Sequence, residues 1–203
     1  MKQLFKPRQL TILGLLTAIL LLMAYTPLGY LNVGPLAITF NIIPVALAAV
    51  ALGPAGGAAA GAVFGLTSFL QCLGIGGASP LGVVLFEINP FFTFILCMLP
   101  RVLDGLLLGY IFRAAKKTIG ARPGFFITGF CSAFLNTVFF MAALLILFGS
   151  TDYMQNLIGG QNLLLFICTF VGINAVCEMI ASTVLTGAVG YALYRSQLLS
   201  FQK

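Results

Sequence analysis

Long apolar runs follow one another from Leu10 to Tyr194, broken only by Gly, Pro, Asn or isolated charges, and a chain built this way has nowhere to keep that surface from water except a lipid bilayer. A helix crosses a hydrocarbon core of roughly 30 Å with about 20 mostly apolar residues. Six stretches meet that need, near 10–28, 35–52, 55–72, 90–113, 124–148 and 163–194. The third is short and the last longer than a bilayer requires, so one is expected to sit shallow and the other to tilt or project. With 61% of residues hydrophobic and 7% charged, against about a quarter charged in a soluble domain, the sequence predicts an all-α membrane protein. Residues 1–203 read as a single six-transmembrane-helix bundle.

Charge sets the expected topology. With an even number of spans, Lys2, Lys6, Arg8, Arg195 and Lys203 at the termini share one side with Arg113, Lys116, Lys117 and Arg122 of the fourth connection. The outer connections carry only Glu87 and Asp152. By the positive-inside rule both termini are cytoplasmic, in a multi-pass protein of the cell membrane. The net charge of +6 is thus a topology signal, with contact to anionic lipid headgroups as a lesser role. Nucleic acid is not the partner, because the basic residues are divided among three short segments. The first apolar stretch exceeds a signal-peptide core, and Tyr25-Thr26-Pro27 follows it without a small-residue cleavage pattern, so it reads as a retained span.

Cys72, Cys97, Cys131, Cys168 and Cys177 stand singly in apolar segments, with no C-x-x-C and no His in the chain. Neither a disulfide framework nor a metal site is indicated, and the thiols read as small hydrophobes. Gly57, Gly61 and Gly65, then Gly105 and Gly109, leave one helix face nearly bare and invite close packing. Gly14 and Ala18 form a further small pair in the first span, able to pack internally or to dock a partner helix.

Ionisable groups within a span cost about 2.5 to 3.5 kcal/mol at the centre and default to a functional reading. Arg101, Asp104 and Glu178 are such groups. Counted along their spans, Arg101, Asn136 and Glu178 fall near mid-membrane, with Asn41 and Asn174 slightly outward, so that one polar layer is expected. Pro100 should bend its helix and free the carbonyl of residue 96. Arg101 has Asp104, Glu178 or a ligand as possible partners. Gln71 stands at the outer end of the third span as a further ligand candidate. Asn89-Pro90 has the form of a helix N-cap, compatible with ligand contact as well. The outer connections, rich in Gly and Pro around Pro27–Pro35, Gly74–Pro80 and Gly159-Gly160, suit lids over a pocket. Tyr25 and Tyr30 read as interfacial anchors.

Catalysis finds little footing. Serine hydrolysis of the usual kind needs a His or Lys base, His is absent, and Asp104 and Glu178 lack the Tyr-Asp and Gly-x-Gly-Asp settings of intramembrane aspartyl proteases. No nucleotide-binding motif is present. The chain is expected not to be an enzyme.

Across nearly its whole length the chain resembles a family. The carrying residues are Gly14-x-x-x-Ala18, Tyr25-Thr26-Pro27-Leu28-Gly29, Asn32-Val33-Gly34-Pro35, Ile43-Pro44-Val45, Leu52-Gly53-Pro54, Phe64-Gly65-Leu66-Thr67-Ser68, Asn89-Pro90 and Leu99-Pro100-Arg101-Val102-Leu103-Asp104-Gly105. Together they are similar to the substrate-binding S components of energy-coupling factor (ECF) vitamin transporters, most of all the pantothenate-type subgroup. The resemblance implies capture of a vitamin from outside, with a transmembrane coupling protein and two cytoplasmic ATPases as partners and ATP used there, so that this chain holds no cofactor. It implies that Gly14 and Ala18 occupy the place of an Ala-x-x-x-Ala contact for the coupling protein. For pantothenate, Arg101 would meet the carboxylate, with Asn41, Gln71, Asn89, Asn136, Asn174 and Glu178 completing the substrate site. The competing readings are an S component for another vitamin such as riboflavin, a self-sufficient proton-coupled carrier relaying through Asp104 or Glu178, and a membrane scaffold.

Overall fold

A computed structural model describes residues 7–26, 29–33, 36–77 and 79–196. Lys2, Lys6 and Lys203 of the charge argument, and Pro27, Leu28, Gly34, Pro35 and Ala78 of the expected lids, lie outside the described residues. The helices are α1 (Pro7–Ala24), α2 (Ile42–Leu52), α3 (Pro54–Cys72), α4 (Pro80–Ile88), α5 (Pro90–Thr118), α6 (Ala121–Phe148), α7 (Asp152–Ile158) and α8 (Leu163–Arg195). Strands β1 (Tyr30–Val33) and β2 (Leu36–Thr39) form an antiparallel hairpin in which Tyr30 faces Thr39. Five helices, α1, α3, α5, α6 and α8, contain segments long and apolar enough to cross a membrane.

The helix expected over 35–52 is corrected by the structure. Residues 36–39 are strand, and α2 has only 11 residues, about 16 Å of rise. Pro44 explains the break: its ring would strike the carbonyl of residue 40 in a longer helix, and the helix instead begins at Ile42 so that Pro44 falls in the first turn. β2 and α2 together still rise about 30 Å. An extended segment leading into an apolar helix needs protein partners for its backbone groups. Here α2 is buried on every side, with Ala51 alone partly open, and packs against α1, α3, α5, α6 and α8. β2 packs on α8, where Glu178 Oε1 accepts the Thr39 N–H at 2.7 Å. The outer connections, expected as loops, contain α4 and α7. Each starts on a capping hydroxyl, Ser79 accepting from Gly82 N at 3.3 Å and Thr151 from Met154 N at 3.4 Å.

Glycine sets the closest helix contact. A Cβ on Gly57 would run into the Gly105 carbonyl oxygen, one on Gly61 into that of Arg101, and one on Gly109 into the Pro54 backbone. The glycine faces predicted for the third and fourth apolar stretches therefore pack on each other as α3 and α5, backbone against backbone. Gly129 of α6 likewise abuts the carbonyl of Ser182 on α8. Gly14 is different, with nothing within 4 Å of its Cβ direction. It lies on the outer face of α1, a helix only 17% buried.

Gly105→Ala is expected to lower the stability of the purified chain by about 1–3 kcal/mol through overpacking, whereas Gly14→Ala, with open space at its Cβ, should not lower it. Thermal unfolding in detergent separates the two. Glu178→Ala, which strands the Thr39 N–H in a buried place, should lower stability by about 1–3 kcal/mol. Glu178→Gln keeps an acceptor and should lose less in the same assay.

Candidate functional site

α3 from Phe64 to Cys72 and α5 from Thr93 to Arg101 take part in enclosing a partly open cavity of about 410 Å³. The end of α1, β2, α4, α6 and α8 complete its wall. The loop after α3 contributes Gly76, Gly77 and Ser79 at the rim. Tyr25, read from sequence as an interfacial anchor, instead lines this cavity, and its ring lies on Gly76, whose φ of +79° and absent side chain make room for it. Neither α7 nor the Gly159-Gly160 turn contributes a lining residue.

Arg101 is the cation of the cavity. Pro100 has no N–H to give the carbonyl of Leu96, and Arg101 Nη1 donates to that freed oxygen at 2.8 Å. Aromatic faces flank the guanidinium, with the Phe140 ring centre 4.8 Å away and that of Phe64 5.5 Å away, a favourable use of the ring quadrupoles around a part-buried cation. Among the described residues no ion pair joins Arg101 to a carboxylate. Glu178 is engaged with Thr39, while Asp104, 2% exposed and outside the cavity lining, has an Oδ1 with no hydrogen-bond partner. Arg101 Nε is buried without a partner. Five planar donors and one used bond leave this side chain equipped for an anion that can accept from a fork.

Of the residues read from sequence, Gln71, Arg101, Asn136, Asn174 and Glu178 line the cavity together. Gln71 Nε2 also donates to the last carbonyl of α1, Ala24 O, at 2.8 Å, so it braces α1 against α3. Asn136 Oδ1 is buried with no partner, an acceptor on the cavity wall in need of a donor. Asn41 and Asn89 lie elsewhere. Asn41 is wholly buried beside Gly29, with neither side-chain amide atom partnered. Asn89 caps α5, its Oδ1 accepting from Phe92 N at 3.1 Å, which is the capping alternative raised by Asn89-Pro90.

The wall also holds Thr39, Ser68, Thr93 and Thr137, together with Cys72 and Cys97, none of which the sequence marked as a site residue. Thr and Ser in apolar helices commonly bond their own preceding turn, as Thr93 Oγ1 does to Asn89 O at 3.0 Å, and carry no distinguishing mark of a site. The arrangement as a whole can receive a small anion bearing hydroxyl or amide groups and, with one apolar side from Leu81, Leu85 and Leu96, a short hydrocarbon body.

The profile of the family described as "ECF transporter, substrate-specific component" matches residues 8–190. The chain is 33% identical over 198 residues to the pantothenate transporter PanT of Leuconostoc mesenteroides, covering 93% of each sequence. It is 24% identical over 202 residues to the pantothenic acid transporter PanT of Lactococcus lactis, covering 95% of this chain and 96% of that one. With its cation-bearing cavity among membrane-length helices, the chain belongs to the substrate-specific components of ECF transporters.

Proposed function

We propose that this chain captures pantothenate from outside the cell and delivers it through an ECF complex. The observation that carries the reading is Arg101, a cavity cation without a carboxylate partner, set where the carboxylate of pantothenate could take a forked pair of hydrogen bonds. Asn136 and Asn174 then meet the hydroxyl and amide groups, Gln71 borders them, and Glu178 accepts from a ligand hydroxyl through the carboxylate that also holds β2. The two relatives named for pantothenate support the choice of vitamin. A volume of about 410 Å³ is of the size that small-molecule sites use.

In this reading the bundle crosses the membrane six times, five as single helices and once as β2 continued by α2, so that both termini are cytoplasmic and the cavity faces outward. The exposed α1 face with Gly14 and Ala18 receives the transmembrane coupling protein. Two cytoplasmic ATPases supply the energy.

Calorimetry of the detergent-purified chain against a panel of B vitamins tests the substrate. Pantothenate should bind, and riboflavin should not; the reverse outcome would reassign the vitamin. Arg101→Ala should weaken pantothenate binding by about 1.5–3 kcal/mol, roughly ten- to over a hundredfold, and unchanged affinity would defeat the proposed role of Arg101. Gly14→Leu should leave binding intact while abolishing ATP-driven uptake in vesicles containing the whole complex. Uptake at the original rate would move the coupling surface elsewhere.

A further inference from the structure

Cys72 ends α3 and Cys97 sits in α5, yet their sulfurs are 3.7 Å apart, both free, and both on the cavity wall. The meeting has a simple cause. Gly57 lies against Gly105 and Gly65 against Cys97, so the two helices are antiparallel. Side chains lean toward the N-terminus of their own helix, which tips these two thiols toward each other. Two sulfurs bonded at about 2.3 Å to one tetrahedral centre lie about 3.8 Å apart, and somewhat closer on a pyramidal one, so thiols already in contact at 3.7 Å can be bridged by a single centre. Among the described residues no group of three or more His, Cys, Asp or Glu could hold a metal ion. The pair accordingly suits a thiophilic centre that asks the protein for two sulfurs and brings its remaining substituent with it.

We propose that Cys72 and Cys97 form a dithiol site for trivalent organoarsenicals inside the ligand cavity, whose occupation and vitamin capture exclude each other. The step is a condensation without electron transfer. Two As–S bonds form, the As–O bond of an arsine oxide breaks, and its oxygen leaves as water with the two thiol protons. The organic group remains in the cavity beside Leu81, Leu85 and Leu96. Cys131, Cys168 and Cys177 are not lining residues. The mutual exclusion rests on the reading of this cavity as the pantothenate site; the dithiol itself does not.

The test uses the full chain with Cys131→Ala, Cys168→Ala and Cys177→Ala, purified in detergent, treated with phenylarsine oxide and then challenged with glutathione followed by dimercaptopropanol. Intact mass, iodoacetamide labelling and pantothenate calorimetry are read at each stage. A single phenylarsenic adduct should survive glutathione, shield both remaining thiols from alkylation and leave with the dithiol. Adding Cys72→Ser or Cys97→Ser, or the Ala equivalents should Ser impair folding, should make the adduct labile to glutathione. One adduct on each thiol, an adduct that persists in either single-cysteine variant, or no adduct at all would overturn the chelate. Pantothenate binding should vanish with the adduct and return with its removal. Binding unaltered by a stable adduct would overturn the exclusion, whereas an untreated chain that binds no pantothenate would sink the vitamin assignment and leave the mass readout to judge the dithiol.

Discussion

Inside a bilayer an N–H that finds no partner has no water to turn to, and the bond from Thr39 N to Glu178 Oε1 is where this chain meets that limit, across 139 residues of sequence. Without it the last residue of β2 would bury an unpaired donor. With the bond in place, β2 lies on α8 and leads into α2, and α2 becomes the buried post around which α1, α3, α5, α6 and α8 are arranged. The same carboxylate borders the cavity. Architecture and ligand chamber thus share one side chain, and a change at Glu178 acts on both.

A second economy is found at Pro100. A proline within a helix normally leaves a carbonyl short of its donor. Here the residue that follows supplies one, Arg101 Nη1 to Leu96 O. The bond fixes the guanidinium toward the cavity, and the rings of Phe64 and Phe140 flank it. Half-buried and with no carboxylate partner among the described residues, it keeps its charge available to an anion in the cavity. Asp104, one turn along α5, is buried but not on the wall, which places it and Arg101 in different surroundings.

The long spans, their glycine faces and most of the polar layer could be read directly, because apolar length and an intramembrane charge are strong signals that few alternatives imitate. The freed carbonyl at residue 96 followed from Pro100 alone, although its taker did not. The break in 35–52 was harder, since Ile, Val, Leu and Ala satisfy hydropathy as well in a strand and half-length helix as in one spanning helix, and Pro44 was the only mark of the boundary. Asn41 passed for a ligand group because depth along a span says nothing of azimuth. Asn89 shows the reverse case, a side chain whose local capping geometry was already present in Asn-Pro. Cys72 and Cys97 had no sequence signature at all; their proximity is a product of antiparallel packing.

The contact of α3 with α5 has a consequence for the chamber's aperture. Backbone meets backbone from Gly57 to Gly65, and beyond that run the contact passes to larger side chains, Phe69 with Phe94 and Cys72 with Cys97. The cavity begins within that run, since Phe64, Cys97 and Arg101 line it. Lengthening or shortening the glycine run by one turn would change how closely the two helices approach beside the cavity, so that ligand size could change in relatives through residues that never touch the ligand.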